Sequence, residues 1–412
     1  MTTCTPNTPR HAFHIMTKPN GPLCNLNCKY CYYLEKQRLR PADAVWRMTP
    51  EVLDAYIRQY IASQATPEVT FAWQGGEPTL LGVDFFREAV ALQRKYADER
   101  PISNTFQTNG ILLDTEWCNF FREHAFLVGV SIDGPETLHN CYRLDKGGRP
   151  TFRRVIRGIE RLQQHGVDFN TLTCVHAGNQ DHPLEVYRFL KHAGSRFMQF
   201  IPIVECNALR QSNGTPLAAR ESLEALVTQS SVHPLTYGKF LTAVFDEWVR
   251  EDVGRYFIQI VDATLPVWLG MDPMLCVFSR ECGNALAIES NGDVYPCDHF
   301  VYPEHRLGNI LERDLAELAG SARQLNFGLK KASGLPEYCH ACEFVSACNG
   351  ECPKHRFLTA PNGEPGLNYL CEGYKHFFAH VSPYMHYMAR LIAAGHPATG
   401  VMRMARLRDL SA

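Results

Sequence analysis

The sequence lacks the features that would place it in a membrane or on nucleic acid. Its first twenty residues contain no apolar run of the signal-peptide type, and no apolar segment is long enough to span a bilayer. The formal net charge is -2, so no basic excess indicates nucleic acid as a partner. Charged residues are only 20% and hydrophobic residues 45% of the 412 residues, which is typical of a globular protein. We therefore expect a cytoplasmic protein of two or three domains, with no membrane and no nucleic acid among its partners.

Cysteine, in contrast, is abundant. The chain contains 16 cysteines, and disulfides are improbable in a reducing cytoplasm. Eleven of them fall into clustered patterns, and the other five are isolated and receive no role. The clustered cysteines therefore indicate metal centres.

The tightest cluster contains Cys24, Cys28 and Cys31, with three and then two residues between the thiols. Thiols this close in a loop can converge on one centre, and soft thiolates favour iron–sulfur clusters or zinc. Three protein ligands on a four-iron cluster leave one iron open to a substrate, by the logic that separates catalytic from structural zinc. A zinc site completed by a distant residue is the alternative that the spacing leaves open.

The first half of the chain alternates short apolar runs with amphipathic segments, which is typical of a parallel β/α fold. Six β/α units indicate a partial barrel rather than a closed eight-fold one, and function collects at the carboxyl ends of such strands. The predicted strands are 11–17, 69–74, 103–107, 126–132, 167–175 and 197–204. The predicted helices are 48–63 with Thr49 as N-cap, 84–97, 152–165 stopped by Gly166, and 237–253, and 207–232 is expected to be a variable insertion.

The three-cysteine loop, with the aromatic Tyr30 just before its third cysteine, resembles the cluster motif of radical S-adenosylmethionine (SAM) enzymes. The resemblance implies that the open iron chelates the amino and carboxylate groups of SAM. One electron from the reduced cluster then cleaves SAM to a 5′-deoxyadenosyl radical, which abstracts a hydrogen atom from the substrate.

Residues 75–78, Gly-Gly-Glu-Pro, resemble the second motif of that family, whose backbone and acidic residue receive the amino group of SAM. By the same resemblance Ser131 and Arg143 would hold the SAM carboxylate and Val204 would contact adenine. The alternatives are an ordinary turn and a solvated loop arginine. Glu205 is expected to be a solvated strand-end group. The expected cofactor-binding residues are Tyr30, Gly76, Glu77, Ser131, Arg143 and Val204.

The second half contains eight further clustered cysteines, enough for two four-cysteine sites. Two zinc ribbons are one interpretation. The pattern also resembles the SPASM domain, which holds two auxiliary four-iron four-sulfur clusters that carry electrons. Asn291-Gly292 between 285–288 and 294–295 predicts a hairpin. The resemblance assigns Cys276, Cys282, Cys297 and Cys352 to the first cluster, and Cys339, Cys342, Cys348 and Cys371 to the second.

Asp298 directly follows Cys297. A lone acidic residue in a loop is ordinarily solvated, but this one lies beside a proposed cluster ligand at the mouth of a barrel. Oxidising an alcohol or thiol to an aldehyde removes two electrons and two protons. A radical can take the carbon-bound hydrogen and a cluster the remaining electron, so a base must take the proton. Asp298 is the candidate catalytic base.

From about residue 11 to about residue 393 the sequence resembles anaerobic sulfatase-maturating enzymes, most closely in 18–35, 71–80, 106–110, 127–135 and 294–298. The resemblance implies oxidation of a cysteine or serine in a sulfatase to Cα-formylglycine. The expected partners are an unfolded or nascent sulfatase polypeptide with a Cys/Ser-x-Pro-x-Arg type segment and an electron donor such as flavodoxin or ferredoxin. The expected cofactors are three four-iron four-sulfur clusters and SAM, and the protein is expected to be a monomer.

Two other functions stay open. Another SPASM enzyme could modify a ribosomally made peptide, for example by thioether formation. Such enzymes need no aspartate after the third auxiliary cysteine and often carry a leader-binding domain, for which about ten residues before the first strand leave little room. A non-enzymatic iron–sulfur or zinc module would leave the three-cysteine loop and the strand-end motifs unexplained.

The sequence therefore predicts an α/β protein with three parts. Residues 1–254 would form a partial (β/α)6 radical SAM barrel. Residues 255–395 would form a C-terminal cysteine-rich SPASM domain that binds two auxiliary Fe–S clusters. Residues 396–412 would be a disordered tail.

Overall fold

The computed structural model describes residues 12–39, 46–207 and 223–409. The strands are β1 (His14–Lys18), β2 (Val69–Trp73), β3 (Ile102–Thr108), β4 (Leu127–Ser131), β5 (Phe169–Val175), β6 (Phe197–Pro202), β7 (Phe257–Ile258), β8 (Ala285–Glu289), β9 (Asp293–Tyr295), β10 (Gly308–Asn309), β11 (Leu358–Thr359) and β12 (Pro365–Leu367).

The α-helices lie between and after these strands. They are α1 (Pro50–Ser63), α2 (Val83–Tyr96), α3 (Thr115–Glu123), α4 (Glu136–Asn140), α5 (Phe152–Gln164), α6 (Pro183–His192), α7 (Leu223–Leu226), α8 (Pro234–Glu251), α9 (Gln259–Thr264), α10 (Leu315–Ala319), α11 (Ala322–Ser333), α12 (Glu337–His340), α13 (Val345–Cys348), α14 (Cys371–Ala393) and α15 (Val401–Asp409).

A large sheet organises the described part of the chain, with the strand order β10-β9-β8-β1-β2-β3-β4-β5-β6-β7. Strands β1 to β6 pair in parallel with their neighbours. The six predicted strands are therefore confirmed, each with bounds within three residues, although His11 lies outside the described residues. The partial (β/α)6 barrel is confirmed as well, because β1 and β6 are not paired with each other but with β8 and β7.

The helices begin and end where the sequence places their caps. Thr49 accepts a hydrogen bond from the Val52 backbone N–H at 3.3 Å and begins α1. Gly166, with φ +65°, follows the end of α5 in the left-handed region. Of the expected insertion 207–232, residues 208–222 lie outside the described residues, and α7 and the start of α8 follow them.

Aromatic side chains hold the strands that position the site. Phe86 on α2 lies 5.5 Å from Trp73 and 5.0 Å from Phe106, measured between ring centroids. Phe106 in turn lies 5.0 Å from Phe121 on α3. These rings are all buried, and edge-to-face packing of this kind gives a rigid contact between helix and sheet. The carboxyl ends of β2 and β3 are therefore held firmly against the helical layer.

The cysteine-rich half is continuous with the barrel. The predicted hairpin forms between β8 and β9, and β8 pairs in parallel with β1 from His14↔Ala285 to Lys18↔Glu289. At the other edge β7, beyond residue 254, pairs with β6. The sheet is therefore not divided at the expected domain boundary, and the end of β1 lies beside the turn that follows β8.

The prediction of a disordered tail from residue 396 is wrong for residues 396–409. Helix α15 packs through Val401 and Ala405, which are fully buried, and Arg406 donates to the carboxylate of Glu251 at 3.2 Å. An apolar pair at i and i+4 is enough to dock one face of a short helix. Residues 410–412 lie outside the described residues. Within the described ranges, no helix combines the length and the apolar character needed to cross a membrane.

Candidate active site

The three-cysteine loop follows β1 at the carboxyl edge of the sheet. Burial, together with the charges of Glu77 and Cys31, raises the pKa of the Cys24 thiol to about 12. Burial also raises the pKa of Cys28, on which Cys24 and Cys31 both act. The Leu26 N–H donates to Cys24 Sγ at 3.3 Å. Converging thiols with an N–H donor are the ligand set of an iron–sulfur cluster, which binds them as thiolates. The residues present therefore fit the predicted open cluster.

The loop that carries Gly76 and Glu77 is clamped to the cysteine loop. The Gly76 N–H donates to Gly21 O at 2.8 Å, and the Glu77 N–H donates to Leu23 O at 2.9 Å. The Asn20 amide donates to Leu23 O at 2.9 Å and to Glu77 O at 2.7 Å. A Cβ on Gly76 would lie only 2.2 Å from Leu23 O. Glycine is thus required here for the close approach of two backbones.

The Glu77 carboxylate is fully buried and is satisfied by the protein itself. Its Oε1 accepts from the Thr79 hydroxyl at 2.6 Å and from the Thr108 hydroxyl at 2.8 Å, and its Oε2 accepts from the Asn109 N–H at 2.7 Å. The side chain therefore joins the ends of β2 and β3. Its predicted contact with the amino group of SAM stays a prediction, and the structure adds an anchoring role that the sequence did not indicate.

Arg143 is buried, so the alternative of a solvated loop arginine is wrong. Its Nε donates to Asp133 Oδ2 at 2.9 Å, and the Tyr30 hydroxyl donates to the same oxygen at 2.6 Å. Burial by itself would raise the pKa of Asp133, but Arg143 and His176 outweigh it and hold that pKa well below its usual range. Asp133 therefore stays ionised, and it ties Arg143 to the residue that precedes Cys31.

The remaining predicted SAM contacts lie at the same edge. Ser131, the last residue of β4, accepts a hydrogen bond from the Gln107 amide at 3.0 Å, and Val204 is buried just beyond β6. Around the cysteine loop, the charge of Glu77 acts on Cys24 and that of Arg143 acts on Cys28. The negative charge of Glu77 on one side of the loop suits the ammonium group of an amino acid such as the methionine part of SAM, and the positive charge of Arg143 on the other side suits its carboxylate.

Asp298 lies in a short 3-10 turn that begins directly after Cys297. Its Oδ2 accepts from the Tyr32 hydroxyl at 2.8 Å and lies 3.8 Å from Lys18 Nζ. Burial would raise the pKa of the carboxyl, but His299, Lys18 and Tyr32 outweigh it and leave that pKa well below its usual range. Asp298 is therefore a charged acceptor and not the solvated loop group of the alternative reading. It is adjacent in sequence to Cys297 and is hydrogen-bonded to Tyr32, the residue that follows Cys31.

Glu205 is not solvated, and that prediction is wrong. Its side chain is only 13% exposed, and its Oε1 lies 2.6 Å from Lys354 Nζ. The reason is topological, because Lys354 comes from the cysteine-rich half, 149 residues further along the chain. The Glu205 carboxylate, which the sequence alone would leave solvated at the end of a strand, is therefore paired with the largely buried ammonium of Lys354.

The other eight clustered cysteines gather in two places. Burial is the main cause of the raised pKa values of Cys297, Cys352 and Cys282, and the charge of Cys276 raises all three further, as does that of Cys352 for Cys297. A separate pocket has four thiols in its lining, those of Cys339, Cys342, Cys348 and Cys371. This grouping is the one that the resemblance assigns, with Cys276, Cys282, Cys297 and Cys352 in one set and Cys339, Cys342, Cys348 and Cys371 in the other.

Several residues of the site were not singled out from the sequence. Lys18 and Asp133 are buried charges whose partners are distant in sequence. Lys331 is also buried and donates to Cys276 O at 2.7 Å, where its charge opposes the negative charge of clustered thiolates. Tyr32 donates to Asp298 across 266 residues. The available signal was weak: Lys18 ends an apolar strand, and Tyr32 adjoins a cysteine ligand.

The two cysteine-bearing parts of the chain match known protein families. Residues 21–190 match the radical SAM superfamily, and residues 276–343 match SPASM, an iron–sulfur cluster-binding domain. Fold and site together therefore define a radical SAM protein with a SPASM domain.

Relatives that match over nearly their full length identify the family within this class of proteins. A serine-type anaerobic sulfatase-maturating enzyme of Bacteroides thetaiotaomicron is 47% identical, over 95% of this chain and 94% of the relative. A cysteine-type anaerobic sulfatase-maturating enzyme of Clostridium perfringens is 34% identical, over 90% of this chain and 96% of the relative. The chain belongs to the family of anaerobic sulfatase-maturating enzymes.

A solved structure supports the same assignment. Native anSMEcpe with bound AdoMet superposes with a TM-score of 0.80 at 33% identity, covering 92% of this chain and 99% of that one. The α/β fold with its two cysteine-bearing parts is thus shared over nearly the full length.

Proposed function

We propose that this chain oxidises a serine or cysteine of a sulfatase polypeptide to Cα-formylglycine under anaerobic conditions. The observation that carries the proposal is the position of Asp298. Its neighbour in sequence is Cys297, and its hydrogen-bond donor, Tyr32, is the neighbour of Cys31. A proton acceptor between a radical-generating site and an electron-accepting site is what oxidation to an aldehyde requires. The family to which the chain belongs supports the same reaction.

The cofactors would be held by the cysteines and the strand-end residues described above. Cys24, Cys28 and Cys31 would ligate one four-iron cluster, and the two sets of four cysteines would ligate the others. Gly76, Ser131 and Arg143 would bind SAM. When bound, these groups supply a 5′-deoxyadenosyl radical that takes a hydrogen atom from the substrate Cβ and an acceptor for one further electron.

The task left to the chain's own residues is to take the proton. A serine CH2OH loses one hydrogen atom, one electron and one proton to become CHO, and Asp298 accepts that proton from the hydroxyl. After the electron has left, the hydroxyl is that of a protonated carbonyl, a strong acid, so a carboxylate of low pKa suffices as the base. With cysteine the same loss gives a thioaldehyde, and water then replaces the sulfur to give the aldehyde and hydrogen sulfide.

The burial of Asp298 bears on the form of the substrate. Its side chain is only 16% exposed, so the target side chain must reach into the end of the barrel. An unfolded or nascent sulfatase segment of the Cys/Ser-x-Pro-x-Arg type can do this, whereas a folded surface is held away. A solved relative is native anSMEcpe with bound AdoMet and Kp18Cys peptide, so a structure of this kind can hold a peptide. We infer further that a one-electron carrier such as flavodoxin or ferredoxin is the donor and that a monomer is active, since one chain holds all three cysteine sets.

Serine is the target that we favour. The relative that is 47% identical is a serine-type enzyme, whereas the cysteine-type relative is 34% identical. Reconstituted protein with SAM and reductant should therefore convert a serine peptide to one lighter by two hydrogens, together with 5′-deoxyadenosine. A peptide with alanine at the target position is the control and should give no aldehyde. Formation of 5′-deoxyadenosine without aldehyde from either the serine or the cysteine peptide would contradict the proposed function.

A further inference from the structure

A buried ion pair joins the barrel to the cysteine-rich half at the mouth of the barrel. Lys354 Nζ lies 2.6 Å from Glu205 Oε1, and each side chain is 13% exposed. Glu205 lies three residues beyond the end of β6, and Lys354 lies two residues beyond Cys352. Because both charges are largely removed from water, each depends on the other, and the distance between the two segments is fixed.

The ammonium of Lys354 also rests on the ring of Tyr32. Its Nζ lies 4.5 Å from the ring centroid, within the range of a cation–π contact. The ring of His299 meets Tyr32 edge-on, with centroids 5.4 Å apart. The Tyr32 hydroxyl donates to Asp298 Oδ2 at 2.8 Å. The Tyr32 ring thus makes one contact with a cation and another with an imidazole, and these two contacts set where its hydroxyl points.

Glu205 is itself held from the barrel side. Its backbone N–H donates to the Ser231 hydroxyl at 3.0 Å, and it directly follows the buried Val204. A series of contacts therefore runs from the end of β6 through Glu205, Lys354 and Tyr32 to Asp298. None of the intermediate side chains carries out the chemistry, but each fixes the next.

We propose that the Glu205–Lys354 pair is a positioning device: it sets Tyr32, and through Tyr32 the Asp298 carboxylate, so that hydrogen abstraction is coupled to proton removal. The inference rests on the proposed function, because it needs Asp298 as the base. It assigns to the pair no part in SAM binding or cleavage. Loss of the pair should therefore lower the yield of aldehyde per radical formed, and not the rate at which radicals form.

Lys354→Met tests this directly, because methionine is of similar length but carries no charge. Aldehyde and 5′-deoxyadenosine are quantified in the same anaerobic reaction, and iron content is measured on the same sample. We expect about a 10-fold fall in aldehyde per 5′-deoxyadenosine, of the size that misplaced catalytic groups cause, with iron content and SAM cleavage unchanged. Lys354→Arg, which keeps a cation over the ring, should recover most of the ratio.

An exchange of the two charges separates positioning from simple stabilisation. The double variant Glu205→Lys with Lys354→Glu keeps an ion pair but puts a carboxylate against the Tyr32 ring. We expect it to retain iron and thermal stability and yet to stay uncoupled. Full recovery of the ratio would show that only the ion pair matters and would overturn the role given to the cation over Tyr32.

Lys191 offers a matched control, because it pairs with Asp252 at 2.7 Å and lies 4.6 Å from the Tyr187 ring, away from the mouth. Lys191→Met should leave the ratio unchanged. An unchanged ratio in Lys354→Met, or its loss together with iron, would overturn the inference. Asp298→Asn separates the two proposals. If Asp298→Asn loses aldehyde formation while Lys354→Met keeps it, only the positioning role of the ion pair fails. If Asp298→Asn itself keeps aldehyde formation, the assignment of Asp298 as the base fails.

Discussion

At the scale of single residues, the site depends on buried charges that neutralise one another. Lys18 is 1% exposed, its Nζ donates to the Gln74 amide oxygen, and it lies 4.5 Å from the Tyr33 ring centroid. Burial lowers the pKa of Lys18, whereas the charges of Asp298 and Glu289 raise it. A buried lysine held among carboxylates keeps Asp298 ionised without an exposed counter-charge. The low pKa of Asp298, the proposed base, is therefore set by His299 beside it together with Lys18 at the end of β1.

Asp298→Asn isolates the proton-transfer step. Asparagine keeps the size of the side chain but cannot accept the proton effectively, and the carboxylate is not among the residues proposed to bind SAM. We expect the variant to keep its iron and to cleave SAM, and to lose aldehyde formation by about 10²–10⁴-fold, as is usual for removal of a general base. Anaerobic assays of peptide mass and 5′-deoxyadenosine give both quantities.

The control for this variant is Asp246→Asn, which alters a partly exposed carboxylate on α8 that pairs with His380. It should behave as the unaltered protein. Near-normal aldehyde formation by Asp298→Asn would eliminate this residue as the base. Loss of SAM cleavage together with iron would mean instead that Asp298 supports the cluster bound by Cys297.

Sequence reasoning found the residues whose chemistry is local and missed those that act through distant partners. The clustered cysteines are recognisable as metal ligands from their spacing, and Asp298 as a candidate base from its place directly after Cys297. Tyr32 and Lys354 could not be recognised, because their partners lie 266 and 149 residues away and are brought near only by the fold. Glu205 was misread for the same reason.

At the scale of elements, the informative feature is the contact between the cysteine loop and the loop after β2. Gly76 N–H donates to Gly21 O at 2.8 Å, and Glu77 N–H donates to Leu23 O at 2.9 Å. These bonds hold the two loops together before any cofactor binds. The cysteine loop and the predicted SAM-binding segment thus form one structural unit.

Gly76→Ala should break this unit. Its Cβ would lie 2.2 Å from Leu23 O and 2.7 Å from Pro22 C, which are backbone atoms that cannot simply rotate away. We expect a loss of stability of about 1–3 kcal/mol, as for overpacking elsewhere, and a marked fall in SAM cleavage. Urea unfolding and 5′-deoxyadenosine formation measure the two effects.

Gly147→Ala is the matched control, since the nearest atom to its added Cβ would be Asp145 Oδ1 at an ordinary 3.4 Å. It should change neither stability nor SAM cleavage. If Gly76→Ala cleaved SAM at the normal rate, the close approach of the two loops would not matter for function.

Most of the predicted helices and strands agree with the structure, but helix α15 was missed. Short apolar runs that alternate with amphipathic segments located the parallel strands, because strands covered by helices are buried while each helix has one face on the core. Helix α15 was missed because its sequence is rich in arginine and, among its side chains whose burial is described, the fully buried ones are the small Val401 and Ala405. A stripe that narrow becomes apolar surface only when a neighbouring helix is present to cover it.

At the scale of the whole molecule, the two cysteine-bearing parts share one framework. Strand β8 extends the barrel sheet at β1, and α14 packs on α8, where a Cβ on Gly238 would lie 2.3 Å from Gly373 O. The sequence could not predict the β1–β8 pairing, because it joins strands more than two hundred and fifty residues apart. Alongside the Tyr32 contacts, the auxiliary cysteines are consequently held by this β-sheet and helix framework, which does not depend on the cysteine loop.

This independence leads to a prediction about metal content. After anaerobic reconstitution the chain should hold about twelve irons, from three cubanes of four irons each. Changing Cys24, Cys28 and Cys31 together to Ala should leave about eight irons, because both sets of four thiolates remain, and should abolish SAM cleavage.

The control is a parallel change of the isolated Cys118, Cys141 and Cys206 to Ala, which should keep all of the roughly twelve irons. Iron and zinc are determined by elemental analysis, and 5′-deoxyadenosine by chromatography. Stoichiometric zinc with about four irons would remove the auxiliary clusters from the proposed mechanism, and retained 5′-deoxyadenosine in the first variant would place the SAM-cleaving cluster elsewhere.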